Sequence, residues 1–267
     1  MVKAFGGVSI VNAVPAGLGV VMAINLPVEA KVWECQRSEV KSMDDAFVSA
    51  ILEEARKTFG LGSLCAEVKS SIPLGSGLKS NSAVAAAIML EASRLAGTRD
   101  RTGAAIAAAR ATLRLGSSIT GALDDPSASL LGGITLTNNF EMRVLRRDEA
   151  PQVSVVIHVP PTAKRVSVPR LRLLRRFHES LFELAWGKRY WAAMLMNGLA
   201  VDAALGYGFS RLVGSALSMG AVSAGVTGNG PAVAAVFRDS PREYINWLSE
   251  LNGLTMLVEP VNEVDEA

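Results

Sequence analysis

Two short stretches of this chain carry residue types that could handle a phosphate and an alcohol. The first, PLGSGLKSNS at residues 73–82, puts two glycines and several hydroxyl side chains directly before an alanine-rich segment. Gly75 and Gly77 permit positive φ angles and close backbone approach, and the polar residues after them can cap a helix that begins near Asn81. The unpaired N–H groups of a first helical turn, together with the helix dipole, bind anions. The stretch therefore predicts a phosphate site formed by the main chain.

Two well-known phosphate motifs do not fit this stretch. A P-loop needs a glycine immediately before Lys79, where the chain has Leu78. A dinucleotide fingerprint needs a third glycine three residues after Gly77, where the chain has Ser80. Glu91 also follows the glycines too closely to be the ribose-binding acid of a dinucleotide oxidoreductase. A glycine-rich helix start that binds no ligand remains open at this point.

The second stretch contains two adjacent carboxylates, Asp124 and Asp125, in the segment SITGALDDPSASLLGGI. A carboxylate can act as a general base by accepting the proton of a hydroxyl nucleophile. Adjacent side chains do not easily point the same way, so only one of the two is expected to face the hydroxyl. Asp125 followed by Pro126 is also a good start for a helix, so a purely structural role stays open.

These stretches resemble the motifs of the GHMP kinases, a family of small-molecule kinases that includes galactokinase, homoserine kinase and mevalonate kinase. PLGSGLKSNSA resembles the second motif. It contains Lys79 and has one residue more than the usual spacing of that motif, which is closer to the archaeal-type shikimate kinases than to other members of the family. The Asp-Asp segment resembles the central motif of that subfamily. Three further segments resemble its first motif, a later segment and its third motif: GGVSIVNAVPAGLGVVMAINLP, MNGLAVDAALGY and AGVTGNGPAVAAV. The five matches run in order from residue 6 to residue 236.

The resemblance implies a fold and an activity. The fold is a two-lobed α+β protein, with a lobe like a ribosomal-protein domain at residues 1–150 and a ferredoxin-like lobe at residues 151–267. The activity is phosphorylation of the 3-hydroxyl of shikimate by ATP with Mg²⁺. Homoserine kinase or another small-alcohol kinase is the nearest alternative. A nucleotide-binding regulator with a degenerate active site is the other.

The resemblance also implies roles for individual residues. Asp125 stands seven residues before Gly132-Gly133, as does the base of those relatives that use an aspartate, and Asp124 is then a metal ligand or the base itself. Ser82 or Ser80 is expected to bind Mg²⁺. The residues expected to bind the ATP phosphates are Pro73, Leu74, Gly75, Ser76, Gly77, Leu78, Lys79, Ser80, Asn81 and Ser82. Those expected to contact the substrate are Asn12, Gly228, Asn229, Gly230 and, as a guanidinium for its carboxylate, Arg165.

The chain departs from the family pattern at two places. Asn229 occupies a position of the third motif where Ser or Thr is usual, and its amide can donate a hydrogen bond but has no hydroxyl. Several relatives have a metal-binding glutamate about eleven residues before the catalytic aspartate. Residues 110–118 of this chain contain no acid, so Mg²⁺ binding would depend on a serine, an aspartate, the nucleotide and water.

The composition fits a globular enzyme. The 267 residues suffice for a large core, and the 49% that are hydrophobic occur in short segments, none reaching the ~18 residues of a membrane span. The net charge of +2 gives no reason to expect nucleic acid as a partner. The first residues lack the layout of a signal peptide, so we expect a cytoplasmic protein without membrane contact.

Two smaller features are open to interpretation. Cys35 and Cys65, the only cysteines, are expected to be free buried thiols, and their spacing from the two histidines does not suit a metal site. The basic run at residues 164–176 is expected to be a solvated helix face, with attraction of anionic substrates as the functional alternative.

Polar and apolar patterns predict strands and helices in both halves of the chain. In the first half we expect strands at 8–14, 20–33, 66–72, 134–137 and 142–145, and helices at 44–59, 81–95 and 103–115. In the second half we expect strands at 153–159, 232–237 and 255–258, and helices at 169–185, 190–205, 210–218 and 241–251. This mixture indicates an α+β protein whose two lobes meet at a cleft and divide near residue 150.

Overall fold

Two sheets organise the chain in a computed structural model that describes residues 1–36 and 38–264. The first contains β1 (Val2–Val11), β2 (Leu18–Glu34), β3 (Val40–Lys41), β4 (Leu64–Ser70), β5 (Ile134–Asn138) and β6 (Arg143–Asp148). The second contains β7 (Ser154–Val159), β8 (Ser223–Val226), β9 (Val233–Phe237) and β10 (Leu254–Val258). Among the described strands, β3 pairs with β4 in parallel and the remaining pairs are antiparallel.

Helices connect and cover the strands. Over the same residues they are α1 (Asp45–Phe59), α2 (Ser80–Leu95), α3 (Arg101–Arg114), α4 (Asp124–Leu131), α5 (Val168–Arg172), α6 (Arg175–Trp186), α7 (Tyr190–Leu205), α8 (Ser210–Ser218) and α9 (Arg242–Leu248). Helix α2 is central, since it contacts β1 and β2 as well as α1, α3 and α4. Its many buried alanines have small side chains, which let it approach these neighbours closely. No helix in the described part of the chain is long and apolar enough to cross a membrane.

The expected two-lobed α+β architecture is confirmed. The second sheet has the strand order β10-β7-β9-β8, which is the order of a ferredoxin-like βαββαβ unit. One hydrophobic cluster includes residues of both sheets, so the lobes share a core. The chain passes from the first sheet to the second between β6 and β7, and a domain boundary near residue 150 stays a prediction.

Most predicted elements are present, and α7 and α8 have the predicted bounds. The helix predicted at 169–185 is wrong in its continuity, because the chain forms α5 and α6 with a break at Leu173 and Leu174. Strands β3 and β8 were not expected as elements, and α4 was expected only as a possible helix start at Asp125-Pro126. Helix α4 and strand β8 are short and almost entirely buried, so neither shows an amphipathic pattern.

The expectation of free cysteines is wrong. Cys35 follows the end of β2, and Cys65 lies on the adjacent strand β4, opposite Trp33. Antiparallel pairing of β2 with β4 brings the two Cα atoms to 5.9 Å, and the two residues form a disulfide. The pairing register, which their separation in sequence does not reveal, decides this contact.

A segment from far along the chain completes the first sheet. Strand β1 pairs along one edge of β2, whereas β4 and β5 pair at opposite ends of its other edge. Residues 259–262 fill the gap between β4 and β5. There the Asn25 N–H donates to the Glu259 carbonyl at 2.9 Å, and the Val261 N–H donates to the Ala23 carbonyl at 3.1 Å.

The Gly132-Gly133 pair makes room for this segment. Both residues have positive φ angles, and a Cβ on Gly132 would lie 2.6 Å from the Asn262 carbonyl oxygen. The same pair lies between the end of α4 and the start of β5. The spacing that relates Asp125 to these glycines thus has a structural basis in the length of α4.

Replacing Gly198 by alanine tests the contact between α7 and β8. Gly198 faces Gly225, and an added Cβ would lie 2.7 Å from the Val226 nitrogen, where the backbone cannot give way locally. We expect the free energy of unfolding to fall by about 1–3 kcal/mol, which lowers Tm by several degrees in a chain of this size. Thermal unfolding followed by circular dichroism measures this.

Gly214→Ala is the matched control for this experiment. Gly214 also lies in a helix, α8, but an added Cβ would meet no atom within 4 Å. Alanine is the better helix former by up to about 1 kcal/mol, so Tm should stay equal or rise. Equal losses in the two variants would contradict the close contact.

Candidate active site

A cavity of about 360 Å³ lies where the two lobes meet. Its lining comes from the loop after β1, the loop before α2, the segment between α3 and α4, the loop after β7 and the turn between β8 and β9. Lining residues are Asn12, Ala13, Val14, Pro73, Gly75, Ser76, Gly77, Lys79, Ser80, Asn81, Ser82, Ser117, Ser118, Ile119, Thr120, Ala122, Asp124, Asp125, Lys164, Val166, Gly228 and Asn229. Thirteen of these were predicted as site residues.

The loop before α2 has a backbone that requires glycine. Gly75 and Gly77 have φ angles of 68° and 92°. A Cβ on Gly77 would lie 2.6 Å from the Thr227 carbonyl oxygen, so this loop packs directly on the turn between β8 and β9. The Ala232 N–H donates to the Ser76 carbonyl at 2.9 Å and holds the two segments together. The second and third motifs therefore form one structural unit.

Helix α2 points its N-terminus into the cavity. Lys79 is its N-cap residue and has a left-handed backbone with φ of 74°. The Ala83 N–H donates to the Lys79 carbonyl, so the N–H groups of Ser80, Asn81 and Ser82 precede the first helical hydrogen bond. These three residues line the cavity. Their N–H groups and the helix dipole suit an anion there.

Lys79 and Asp125 form an ion pair in the lining of the cavity. The Lys79 Nζ lies 3.0 Å from the Asp125 Oδ1, and the side chains are 10% and 12% exposed. The Ser82 hydroxyl donates to the Asp125 Oδ2 at 3.3 Å. Asp125 Oδ1 is buried, and its described partner is the Lys79 ammonium. The lysine belongs to the site and not to the outer surface.

Asp124 faces away from this pair into a buried polar network. Its Oδ1 accepts a hydrogen bond from the Asn139 Nδ2 at 2.8 Å, and the Thr137 hydroxyl donates to the Asn139 Oδ1 at 2.7 Å. Burial raises the pKa of the Asp124 carboxyl and Asp125 raises it further, while Lys79 and Asn139 act in the opposite direction. The two adjacent acids thus have different partners, although both line the cavity.

Asp124→Asn is expected to stabilise the protein more at high pH than at low pH. Because the folded pKa of Asp124 is raised, the unfolded chain loses this proton first as pH increases. The wild-type free energy of unfolding therefore falls as pH rises from the unfolded to the folded pKa. Asparagine keeps the hydrogen bond from Asn139 and avoids this loss, which we expect to be on the order of 1 kcal/mol or more.

Urea unfolding at pH 4.5 and pH 8 measures this difference between Asp124→Asn and wild type. Asp239→Asn changes an exposed aspartate of the same charge and should show the same difference from wild type at both pH values. A difference for Asp124→Asn that is independent of pH would contradict a raised pKa.

Asn12 connects the first motif to the third. Its Nδ2 donates to the Gly228 carbonyl at 3.0 Å and to the Asn229 Oδ1 at 2.9 Å. Its own N–H donates to the Asn197 Oδ1 at 2.8 Å, which ties the loop after β1 to α7. Asn229, the residue that departs from the usual Ser or Thr, is used here to receive a hydrogen bond and lines the cavity.

Four predicted site residues do not line the cavity. Leu78 is fully buried in the core, and Leu74 is exposed outside the cavity lining. Gly230 packs under the ring of Tyr207, to which an added Cβ would come within 2.8 Å. Arg165 directs its guanidinium to the Leu205 and Gly206 carbonyls at the end of α7. The carboxylate contact expected of Arg165 is therefore not available in this arrangement.

Several lining residues were not predicted from the sequence. Lys164 is the neighbour of Arg165, and only the fold shows which of the two faces the cavity. The segment 117–120 lines the wall near the aspartates and includes Ser118, whose buried hydroxyl has no partner among the described residues. Ser118 and Thr120 belong to the segment that resembles the central motif, but the resemblance assigned a role only to its aspartates.

The residues present fit a metal ion that arrives with phosphate. Within the described ranges, no three His, Cys, Asp or Glu residues come together to hold a metal. Mg²⁺ typically takes one or two carboxylates and completes its shell with phosphate oxygens and water. Asp125 and the Ser82 hydroxyl are together, and the Ser80 hydroxyl is buried without a described partner. Such a donor set suits a nucleotide-bound Mg²⁺ better than a metal held by the protein alone.

Comparison with known sequences agrees with this geometry. A family model described as the N-terminal domain of GHMP kinases matches residues 46–133. A shikimate kinase of Methanothrix thermoacetophila is 34% identical, over 94% of this chain and 90% of its own length. A shikimate kinase of Pyrococcus furiosus is also 34% identical, over 90% of this chain and 92% of its own length.

Comparison with solved structures supports the fold. The mevalonate kinase of Methanococcus jannaschii is similar with a TM-score of 0.77 and 13% identity, over 97% of this chain and 98% of that one. A homoserine kinase from Cytophaga hutchinsonii gives a TM-score of 0.71 and 17% identity, over 97% and 94% of the two chains. These identities are too low to carry substrate identity, so they bear on the fold alone.

Proposed function

The chain belongs to the GHMP kinases, in the group of the archaeal shikimate kinases, and we propose that it transfers the γ-phosphoryl group of ATP to the 3-hydroxyl of shikimate. The products are shikimate 3-phosphate and ADP, in a step of the route to aromatic amino acids. The observation that carries the proposal is the Asp125 carboxylate, which faces the same cavity as the N-terminus of α2. The expected cytoplasmic location stays a prediction.

The phosphates of ATP bind at the start of α2. The N–H groups of Ser80, Asn81 and Ser82 donate to phosphate oxygens, and the Lys79 ammonium adds a positive charge beside them. The positive φ angles of Gly75 and Gly77 keep the loop close to these oxygens without side chains in the way. The start of α2 lines the cavity, so its N–H dipoles are already directed at the phosphate site.

Asp125 accepts the proton of the attacking hydroxyl. The hydroxyl oxygen then forms a bond to the γ-phosphorus as the bond to the oxygen that bridges the β- and γ-phosphates breaks, and ADP leaves. Lys79 holds the Asp125 carboxylate in position through the 3.0 Å ion pair. Asp124 supports the segment through Asn139 and does not face the hydroxyl.

Mg²⁺ would be held by Ser80 or Ser82 and by Asp125, together with phosphate oxygens and water. Its chemistry there is to neutralise charge on the β- and γ-phosphates. The unpartnered hydroxyl of Ser80 supports a role for that residue, and the Ser82 hydroxyl lies beside the Asp125 carboxylate.

We propose that the adenine binds over an apolar cleft of about 30 Å³ next to the phosphate site, whose walls must move apart to enclose the ring. This cleft is lined by Met43, Phe47, Val68, Leu74 and Val84, and it also reaches Ser80 and Asn81 at the start of α2. Leu74, which does not line the main cavity, has a role here.

The proposal is tested by release of ADP with purified protein, ATP and Mg²⁺ over a panel of alcohols. We expect turnover with shikimate and little with homoserine or mevalonate. ATP binding without alcohol-dependent ADP release would instead indicate a nucleotide-binding regulator. Omission of Mg²⁺ should abolish turnover, since Lys79 and Lys164, the cationic residues of the described lining, are too few to neutralise the triphosphate and Lys79 is already paired with Asp125.

A further inference from the structure

Two cations line the cavity, and they differ in what they contact. Lys79 and Lys164 are the basic residues among the described lining residues. Lys79 is paired with Asp125. Lys164 takes part in no ion pair within the described part of the chain. One positive charge of the cavity is thus already compensated, and the other is available for an anionic group of a ligand.

Lys164 lies close to the reacting groups although it is an exposed residue of the cavity rim. Partial withdrawal from solvent lowers the pKa of the Lys164 ammonium, the charge of Lys79 lowers it further, and Asp125 acts against both. The Lys164 ammonium is therefore close enough to Lys79 and Asp125 for both charges to affect its pKa. One small molecule could therefore place an anionic group at Lys164 and a hydroxyl at the Asp125 carboxylate.

The adjacent residue anchors the loop that carries Lys164. The Arg165 N–H donates to the Tyr207 Oη at 2.7 Å, and the Tyr207 hydroxyl donates to the Asn229 carbonyl at 2.7 Å. The Arg165 guanidinium lies 5.4 Å from the centre of the Tyr207 ring, which is itself stacked on Phe209. Arg165 is thereby fixed on the outer side, and Lys164 is left facing the cavity.

We propose that Lys164 binds the carboxylate of the acceptor, and that Tyr207 is a positioning residue that holds the Lys164 loop against the Asn229 turn. This inference rests on the proposed function, since it needs an acceptor with a carboxylate and a hydroxyl. The carboxylate at Lys164 and the hydroxyl at Asp125 orient the ring between them. A charge-assisted contact of this kind selects acidic acceptors over neutral alcohols.

The test compares shikimate with its methyl ester, which keeps the 3-hydroxyl and lacks the charge. In wild type we expect kcat/KM to be about 10- to 100-fold higher for shikimate. In Lys164→Met this preference should fall to about twofold or less, with KM for ATP unchanged. Lys164→Arg should restore part of the preference, because a guanidinium also binds carboxylates. Lys41→Met, which removes an exposed lysine outside the cavity lining, should behave as wild type.

Two results would overturn the assignment. A preference for shikimate that persists in Lys164→Met would show that another group binds the carboxylate. A rise in KM for ATP with an unchanged KM for shikimate would assign Lys164 to phosphate instead. Absence of shikimate turnover in wild type would contradict the proposed function itself, and the two failures are therefore distinguishable.

Tyr207→Phe tests the positioning role separately. Phenylalanine keeps the stacking on Phe209 but removes the hydroxyl that joins Arg165 to Asn229. We expect KM for shikimate to rise about 3- to 10-fold while kcat and KM for ATP stay near their wild-type values. An unchanged KM for shikimate would contradict the role of the anchor.

Discussion

Asp125→Asn is expected to reduce kcat by about 10²–10⁴-fold while the protein still folds. Asparagine has nearly the same shape and can still accept the hydrogen bond from the Ser82 hydroxyl, but it cannot take a proton from the substrate. The Lys79 side chain, 10% exposed, loses its partner next to a cavity that water can enter. Steady-state ADP release and a thermal unfolding curve measure the two effects.

A double variant separates loss of the base from loss of the ion pair. Lys79→Met with Asp125→Asn leaves no unpaired charge, so the free energy of unfolding should recover relative to the single variant. The activity should not recover, because no carboxylate faces the hydroxyl. Recovery of turnover in the double variant, or near-normal turnover in Asp125→Asn, would show that Asp125 is not the base.

Gly77→Ala is expected to reduce kcat/KM by about 100-fold. The added Cβ would lie 2.6 Å from the Thr227 carbonyl oxygen and 3.0 Å from that of Gly230, so the loop must move away from the turn between β8 and β9. A shift of about 1 Å in a group that positions a reacting phosphate costs this much in rate. Kinetics with saturating shikimate and varied ATP measures the loss, which should appear in both kcat and KM for ATP.

Gly75→Ala is the matched control for the backbone effect. Gly75 also has a positive φ, but a Cβ there would meet no atom within 4 Å. Both variants therefore carry the cost of a left-handed alanine, about 1–2 kcal/mol, and only Gly77→Ala carries the clash. We expect Gly75→Ala to lose some thermal stability and less than about threefold in kcat/KM. Similar kinetic losses in both variants would contradict the close packing of the two motifs.

The sequence predicts the fold well where the signals are local. Helices α7 and α8 and strand β7 have strong patterns and appear within one residue of their expected bounds. The break between α5 and α6 could not be predicted, because no glycine or proline marks it and Leu173, at 85% exposed, fits a continuous helix as well. The disulfide depends on strand register, which local patterns do not fix.

The site was predictable as far as its main chain and its carboxylates. Thirteen of the predicted residues line one cavity. The glycines of the motifs made this predictable, because they mark positions where the backbone has a positive φ angle or approaches another segment closely. Side-chain direction is harder to predict, since Lys164 and Arg165 are adjacent and carry the same charge. Which one reaches the cavity depends on the Tyr207 ring, 42 residues away in sequence. The roles of the individual residues remain predictions until the variants are measured.

The segment that fills the gap in β2 has a consequence for biosynthesis. Asn25 and Glu259, which hydrogen-bond to each other, are separated by 234 positions. Translation proceeds from the N-terminus, and lobes often fold as they emerge from the ribosome. The N-terminal lobe of a nascent chain therefore exposes an unsatisfied stretch of β2 until residue 262 has left the exit tunnel. The first sheet is therefore completed only long after residues 1–150 have been synthesised.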